Sequence, residues 1–123
     1  MPTAKQKLGT WGELLAAEHL RKKGYLILDH HYTDRFGEID LIAKDGEQVV
    51  FVEVKTRMGN NCGLPEEAVN RNKAAHLRKP ILAYVSEKNI SNFRFDVVAI
   101  DKKDENNTPE IRHHIAVSDV LKL

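Results

Sequence analysis

Two short segments decide the fold, Gly37-Glu38-Ile39-Asp40-Leu41-Ile42 and Val50-Phe51-Val52-Glu53-Val54-Lys55. Each is a mostly apolar, strand-like run that carries more carboxylates than a strand usually does. The dipeptide Asp45-Gly46 between them is a strong signal for a two-residue hairpin turn. The pattern therefore predicts an antiparallel hairpin, with strands over about 37–44 and 48–56.

The hairpin turn also predicts which side chains face each other. With Asp45-Gly46 as the turn, Asp40 lies opposite Phe51, and Glu53 and Lys55 share its face because side chains alternate along a strand. The same register places Glu38 opposite Glu53. A three-residue loop or a bulge would shift the facing by one residue.

Clustered carboxylates on one face of a half-buried sheet repel each other. A diagonal cross-strand pair lies roughly 7 Å apart, where two unit charges repel by ~2.4 kcal/mol at an effective dielectric of about 20. Lys55 offsets one charge only. A divalent cation with oxygen ligands, Mg²⁺ or Mn²⁺, would reverse the sign of this interaction. The alternative is a solvated edge strand with a cross-strand ion pair.

Composition predicts one soluble domain over residues 1–123. The chain is 41% hydrophobic and 30% charged, has one cysteine (Cys62) and carries a net charge of +1. These values are ordinary for a globular protein and exclude an internal disulfide framework. No apolar run reaches membrane-spanning length and the first residues lack the apolar core of a signal peptide, so we expect a cytoplasmic location and no membrane partner.

The remaining elements complete a mixed α/β sheet flanked by helices. Thr10-Trp11-Gly12-Glu13 matches a capping box, which predicts a helix over 8–23. The segment 57–63 is rich in Gly and Asn and is predicted to be a mobile loop beside the hairpin. The other predicted elements are a strand from Tyr25, a helix from Pro65 to Lys79, and strands over 93–100 and 111–117. Pro80 is predicted either to kink that helix or to start a second helix that runs through Glu87.

The acidic pattern resembles the PD-(D/E)xK nuclease superfamily. The wider pattern is similar to the YraN-like family of uncharacterised bacterial proteins, whose members have a restriction-endonuclease-like fold similar to archaeal Holliday-junction resolvases. The resemblance covers nearly the whole chain and implies an α-β-β-β-α-β core. The matching blocks are Gly9-x-x-Gly12-Glu13, Gly37-Glu38-Ile39-Asp40-Leu41-Ile42-Ala43, Phe51-Val52-Glu53-Val54-Lys55-x-Arg57 and Phe95-Asp96-Val97-Val98.

The resemblance also implies a role for each matching residue. Asp40 and Glu53 would be the main ligands of Mg²⁺ or Mn²⁺, with a further oxygen from the Val54 carbonyl. Lys55 would position or deprotonate the attacking water, or stabilise charge on the phosphate. Glu13 would complete the acidic cluster. The proline that opens the superfamily motif is absent, since Ile39 precedes Asp40.

Several side chains have competing explanations. Glu13 is also the acid of the predicted capping box. Glu38 is either an acid that orients the metal ligands without binding the metal or a residue that lies beside Arg35. Arg57 and Lys73 are candidates for phosphate contact, although a helix lysine is solvated by default.

The adjacent histidines and the single cysteine are predicted to lie outside the site. Neighbours on a strand point to opposite faces, so neither His30-His31 nor His113-His114 could bind one metal as a pair, and all four are interpreted as surface or rim residues. Cys62 lacks the sequence context of a catalytic thiol.

These observations favour a metal-dependent endonuclease that hydrolyses DNA phosphodiester bonds. Action on branched DNA and a homodimer follow only from the resemblance to junction resolvases. The alternative is a nucleic-acid-binding accessory protein with a vestigial site. A third hypothesis is a structural module in which the acidic cluster is incidental.

Overall fold

The computed structural model describes residues 1–59 and 71–117, with side chains from residue 76 onwards in the second range. It has a mixed α/β fold, which confirms the predicted class and is consistent with a restriction-endonuclease-like core. The elements are α1 (Ala4–Lys22), β1 (Leu26–Asp34), β2 (Gly37–Asp45), β3 (Gln48–Met58), α2 (Arg71–Glu87), β4 (Phe93–Lys102) and β5 (Glu110–His114).

The strands form one sheet in the order β1-β2-β3-β4-β5. The pair β3–β4 is parallel, and the other three pairs are antiparallel. A parallel pair needs a long crossover, and the segment that contains α2 supplies it. β5 lies at the sheet edge, as predicted for the final short strand.

The two helices cover opposite faces of the sheet. On the α1 face, Ala16, Ala17 and Leu20 are fully buried against apolar side chains of β2, β3 and β4. On the α2 face, Leu77 and Ile81 pack against a separate cluster that includes Phe51. Neither helix among the described residues is both long and apolar enough to cross a membrane.

The start of α1 corrects the predicted capping box. The helix begins at Ala4, and the N-cap is Thr3, whose hydroxyl accepts from Gln6 N–H at 3.1 Å while Gln6 Oε1 accepts from Thr3 N–H at 2.8 Å. Thr10 lies inside the helix and donates to the Gln6 carbonyl. The segment Thr3-x-x-Gln6 fits the same capping pattern. Glu13 is therefore not a capping acid.

The hairpin turn is also corrected, by one position. Asp45 pairs with Gln48, so the two loop residues are Gly46 and Glu47. Gly46 has φ 60° at the first loop position, where a tight hairpin turn favours glycine. The register therefore differs from the predicted one by two residues, and Ile42 rather than Asp40 lies opposite Phe51.

The predictions for the segment after the hairpin are tested only in part. Arg57 and Met58 belong to β3 rather than to a loop, whereas residues 60–63 and the predicted helix start at Pro65 lie outside the described residues. Pro80 lies inside α2, which continues to Glu87, so no second helix begins there.

Replacing Gly12 with alanine is expected to lower the free energy of unfolding by about 1–3 kcal/mol, because α1 packs on β3 through this glycine. A methyl group at Gly12 would overlap Thr56 Oγ1 and lie 3.0 Å from Thr56 Cβ. The matched control is Gly9→Ala on the same helix, where a methyl group would meet nothing within 4 Å. The Gly9→Ala substitution should raise the free energy of unfolding by about 0.5–1 kcal/mol. Urea denaturation measures both changes, and equal effects would contradict the close packing.

Candidate active site

The sheet forks at the site. The pairing of β2 with β3 ends at Leu41 and Val52. Beyond this point, residues 37–39 of β2 stay paired with β1, and residues 53–58 of β3 stay paired with β4. The two central strands therefore separate, and Asp40 and Glu53 are the first residues on either side that are not paired across the opening.

Asp40 occupies the base of this fork. Its Oδ2 atom accepts a hydrogen bond from Val54 N–H at 2.8 Å, in place of a backbone acceptor of the interrupted ladder. The N–H and C=O groups of a strand residue point towards the same neighbouring strand. The Val54 carbonyl is therefore directed into the same opening.

Glu53 and Lys55 line the β3 side of the fork. Lys55 Nζ lies 3.3 Å from Glu53 Oε1, and the Glu53 side chain is 9% exposed. Glu53 also lies close enough to Asp40 for the two carboxyl groups to interact. The sheet therefore brings together the three residues predicted from the hairpin, in spite of the changed register.

Glu13 reaches the same cluster from α1. Its carboxyl group lies close to that of Asp40, and its Oε1 atom lies 3.4 Å from His31 Nδ1. Asp40 is thus placed between Glu13 on one side and Glu53 on the other. The ligand atoms of Glu13, His31 and Asp40 lie within 4.8 Å of one another.

The proton affinities reflect this crowding of carboxylates. Burial and the neighbouring Asp40 raise the pKa of Glu53 to about 7, although Lys55 opposes the shift. Burial also raises the pKa of Asp40, against the Val54 N–H group and the Lys55 charge. Burial and Asp40 raise the pKa of Glu13. The three carboxyl groups are therefore harder to ionise than they would be in water, and a bound cation would relieve this cost.

His31 belongs to this cluster, and the sequence interpretation missed it. Its φ is 50°, which interrupts the alternation of β1. His30 consequently contacts Arg21 of α1, while Tyr32 packs in the cluster on the α2 face. Although burial opposes it, the hydrogen bond and charge of Glu13 raise the pKa of the His31 imidazole.

The alternation of side chains is also irregular in β2, near His31 of β1. Ile39 belongs to the cluster on the α2 face, whereas Leu41 belongs to the cluster on the α1 face. Residues two apart normally share a face, so the alternation slips by one residue at Asp40. This slip explains how Asp40 contacts Glu13 on α1 and also Glu53 at the fork.

Glu38 does not lie opposite Glu53, which corrects the prediction. It pairs with Thr33 of β1, and its Oε2 atom lies 3.6 Å from His31 Nε2. Arg57 lies on β3 beyond Lys55. Lys73 lies in α2, but its side chain is outside the part of the chain that the structure describes. Cys62 also lies outside that part.

A second polar network explains the Phe95-Asp96 block of the sequence. Asp96 is fully buried. Its carboxylate accepts hydrogen bonds from Arg94 Nε at 3.0 Å and from Ala116 N–H at 2.9 Å, and it forms a third hydrogen bond with His113 Nε2 at 2.7 Å. The hydrogen bonds of His113 and Arg94 lower the pKa of Asp96 despite its burial. The His113 side chain is 1% exposed, so its interpretation as a surface residue was wrong.

Two grooves run along the amino-terminal half of α1. One, of about 700 Å³, opens onto the acidic cluster and is lined by Glu13, His30 and His31 together with residues of the first helical turns. The other, of similar volume, is lined by Ala4, Lys5, Lys7, Leu8, Trp11, Met58, Lys102 and Glu105. Lys102 Nζ lies over the Trp11 ring at 5.4 Å.

The fold and site define a mixed α/β protein with an acidic cluster, including a histidine, that could hold a metal ion. The chain belongs to the uncharacterised protein family UPF0102, whose family model matches residues 12–100. This confirms the family to which the sequence resemblance pointed.

Individual relatives match over most of their length. A UPF0102 protein of Syntrophomonas wolfei is 45% identical over 101 residues, which are 80% of this chain and 88% of the relative. Similar proteins of Thermodesulfovibrio yellowstonii and Caldanaerobacter subterraneus are 48% and 42% identical, over 83% and 90% of this chain and 93% of each relative. Their names state a family and no activity.

Proposed function

We propose that this protein is a metal-dependent nuclease that hydrolyses DNA phosphodiester bonds. The observation that carries the proposal is the position of Asp40, held at the fork by Val54 N–H and in contact with both Glu53 and Glu13. Three carboxylates on three different elements converge there beside one lysine. A solvated edge strand would not bury and couple its acids in this way.

The donor set fits a hard divalent cation. Asp40, Glu53 and the Val54 carbonyl would hold Mg²⁺ or Mn²⁺, and Glu13 would complete the set directly or through water. Such an ion activates a water molecule and offsets charge on the scissile phosphate. Lys55, 3.3 Å from Glu53, would orient that water or stabilise the charge that develops on the phosphate.

The second groove along α1, which contains Trp11, supports the proposal of a nucleic-acid substrate. Lys5, Lys7 and Lys102 supply positive charge for phosphates, with Lys102 over the Trp11 ring, and Glu105 offsets one of these charges. Arg57, on the same strand as Lys55, adds charge on the side of the fork. The preference for branched DNA rests on the family resemblance alone.

Replacing Lys55 with alanine is expected to lower metal-dependent cleavage by about 10²-fold, because the lysine acts on the attacking water or on the phosphate. The measurement is cleavage of labelled duplex, single-stranded, flap and four-way-junction DNA with Mg²⁺ or Mn²⁺. Lys44→Ala, on the same hairpin but near its turn, is the matched control and should retain full activity.

Two outcomes would contradict the proposal. Equal cleavage by Lys55→Ala and the wild type would place the chemistry elsewhere. Absence of cleavage of every substrate, together with tight DNA binding that does not depend on the metal, would favour the accessory role with a vestigial site.

A further inference from the structure

The acidic cluster has two sides that differ in chemistry. On one side of Asp40 lie Glu53 and the Val54 carbonyl, which offer only oxygen ligands. On the other side lie Glu13 and His31, whose ligand atoms and that of Asp40 are within 4.8 Å of one another. Ligands about 2.2 Å from a common ion are at most about 4.4 Å apart. Three ligands spread evenly around one ion at that distance are about 3.8 Å apart, so adjustments of up to about 1 Å would let all three bind one cation.

The backbone of β1 directs His31 towards this position. Its φ of 50° interrupts the strand, so that the ring approaches Glu13 on α1 at 3.4 Å instead of following the regular alternation. The preceding residue, His30, turns to Arg21 instead. Of the two adjacent histidines, only His31 contacts the carboxylates of the site.

Both ring nitrogens of His31 face carboxylates. Nδ1 lies 3.4 Å from Glu13 Oε1, and Nε2 lies 3.6 Å from Glu38 Oε2. A metal-bound histidine usually directs its second ring nitrogen to a carboxylate, which fixes the tautomer and the ring orientation. Glu38 is placed for this orienting role, with Nδ1 left for the cation.

We infer that Glu13, His31 and Asp40 form a cation position with one nitrogen ligand, which prefers a transition metal such as Co²⁺ to Mg²⁺. Imidazole suits transition metals, whereas Mg²⁺ strongly favours oxygen ligands. The inference deepens the proposed function by assigning a metal class to one side of the site. Its test measures binding without DNA and is independent of cleavage.

The test is titration of the metal-free protein with Co²⁺ and, separately, with Mg²⁺. We expect His31→Asn to weaken Co²⁺ binding by about tenfold or more and to change the visible absorption of bound Co²⁺, while Mg²⁺ affinity changes by less than about twofold. Asparagine tolerates a positive φ, so this variant should keep the fold and its melting temperature. His30→Asn is the matched control and should bind both metals as the wild type does.

Each outcome decides the inference. Equal Co²⁺ affinity and an unchanged spectrum in His31→Asn would overturn it, even if the protein cleaves DNA. Loss of Co²⁺ ligation in His31→Asn would support it, even if no DNA substrate is cleaved. Equal weakening of Co²⁺ and Mg²⁺ would also overturn it, because that result would indicate a general electrostatic effect rather than a nitrogen ligand.

Discussion

Replacing Asp40 with asparagine is expected to reduce metal-dependent DNA cleavage by about 10³-fold, a larger loss than for any other single residue of the site. Among the described residues, Asp40 is the one carboxylate that interacts with both Glu13 and Glu53. Its loss therefore affects both sides of the cluster. The asparagine oxygen can still accept the hydrogen bond from Val54 N–H, so the fork itself should persist.

This design separates chemistry from folding. Cleavage rates and calorimetric Mn²⁺ binding are measured for Asp40→Asn and for the control Asp29→Asn, an exposed aspartate of β1. The control should match the wild type in both. Cleavage by Asp40→Asn within about tenfold of the wild type would rule out Asp40 as the central ligand, because such a loss is too small for that role.

Replacing Glu53 with glutamine is expected to raise the free energy of unfolding of the metal-free protein by about 3 kcal/mol at pH 8. The pKa of Glu53 rises from 4.5 to about 7 on folding, and each unit corresponds to about 1.4 kcal/mol. A raised carboxyl pKa means that the folded state binds the proton more tightly. The contribution to stability is therefore complete below about pH 4.5 and is lost as the pH rises through 7.

The two proteins should therefore converge at low pH and diverge at high pH. Urea denaturation between pH 4.5 and 8 measures the difference, with Glu47→Gln in the exposed hairpin turn as a control that changes stability by less than about 0.5 kcal/mol. Parallel stability profiles for Glu53→Gln and the wild type would show that Glu53 is not destabilised by its surroundings.

The contact between Asp40 and Glu53 could be predicted from the sequence although the register was wrong. The true turn shifts the pairing by two residues, and a shift of two leaves the paired part of the hairpin, from Leu41 to Val52, on its predicted faces. The contact of Asp40 with Glu13 depends instead on a slip in the alternation of β2. A local irregularity of this kind has no clear sequence signal.

The role of His31 and the burial of His113 could not be predicted for different reasons. His31 has a positive φ, which is uncommon for histidine and gives no pattern in a single sequence. His113 meets Asp96 only because β4 and β5 pair, a contact between residues 17 positions apart. The helix start was missed because the chain offers two capping patterns, at Thr3 and at Thr10, and local chemistry does not rank them.

The interrupted pairing of β2 and β3 has a mechanical consequence. The β1–β2 ribbon carries Asp40, and the β3–β4 ribbon carries Glu53 and Lys55. Backbone pairs join the two ribbons only from Asp45–Gln48 to Leu41–Val52, and the hydrogen bond from Val54 N–H to Asp40 Oδ2 joins them beyond these pairs. That joined segment can act as a hinge. A small change in the angle between the ribbons would alter the spacing of the carboxylates without breaking a backbone pair, so the span of the site can adapt to ions of different radius by stretching the one hydrogen bond of Asp40 to Val54 N–H.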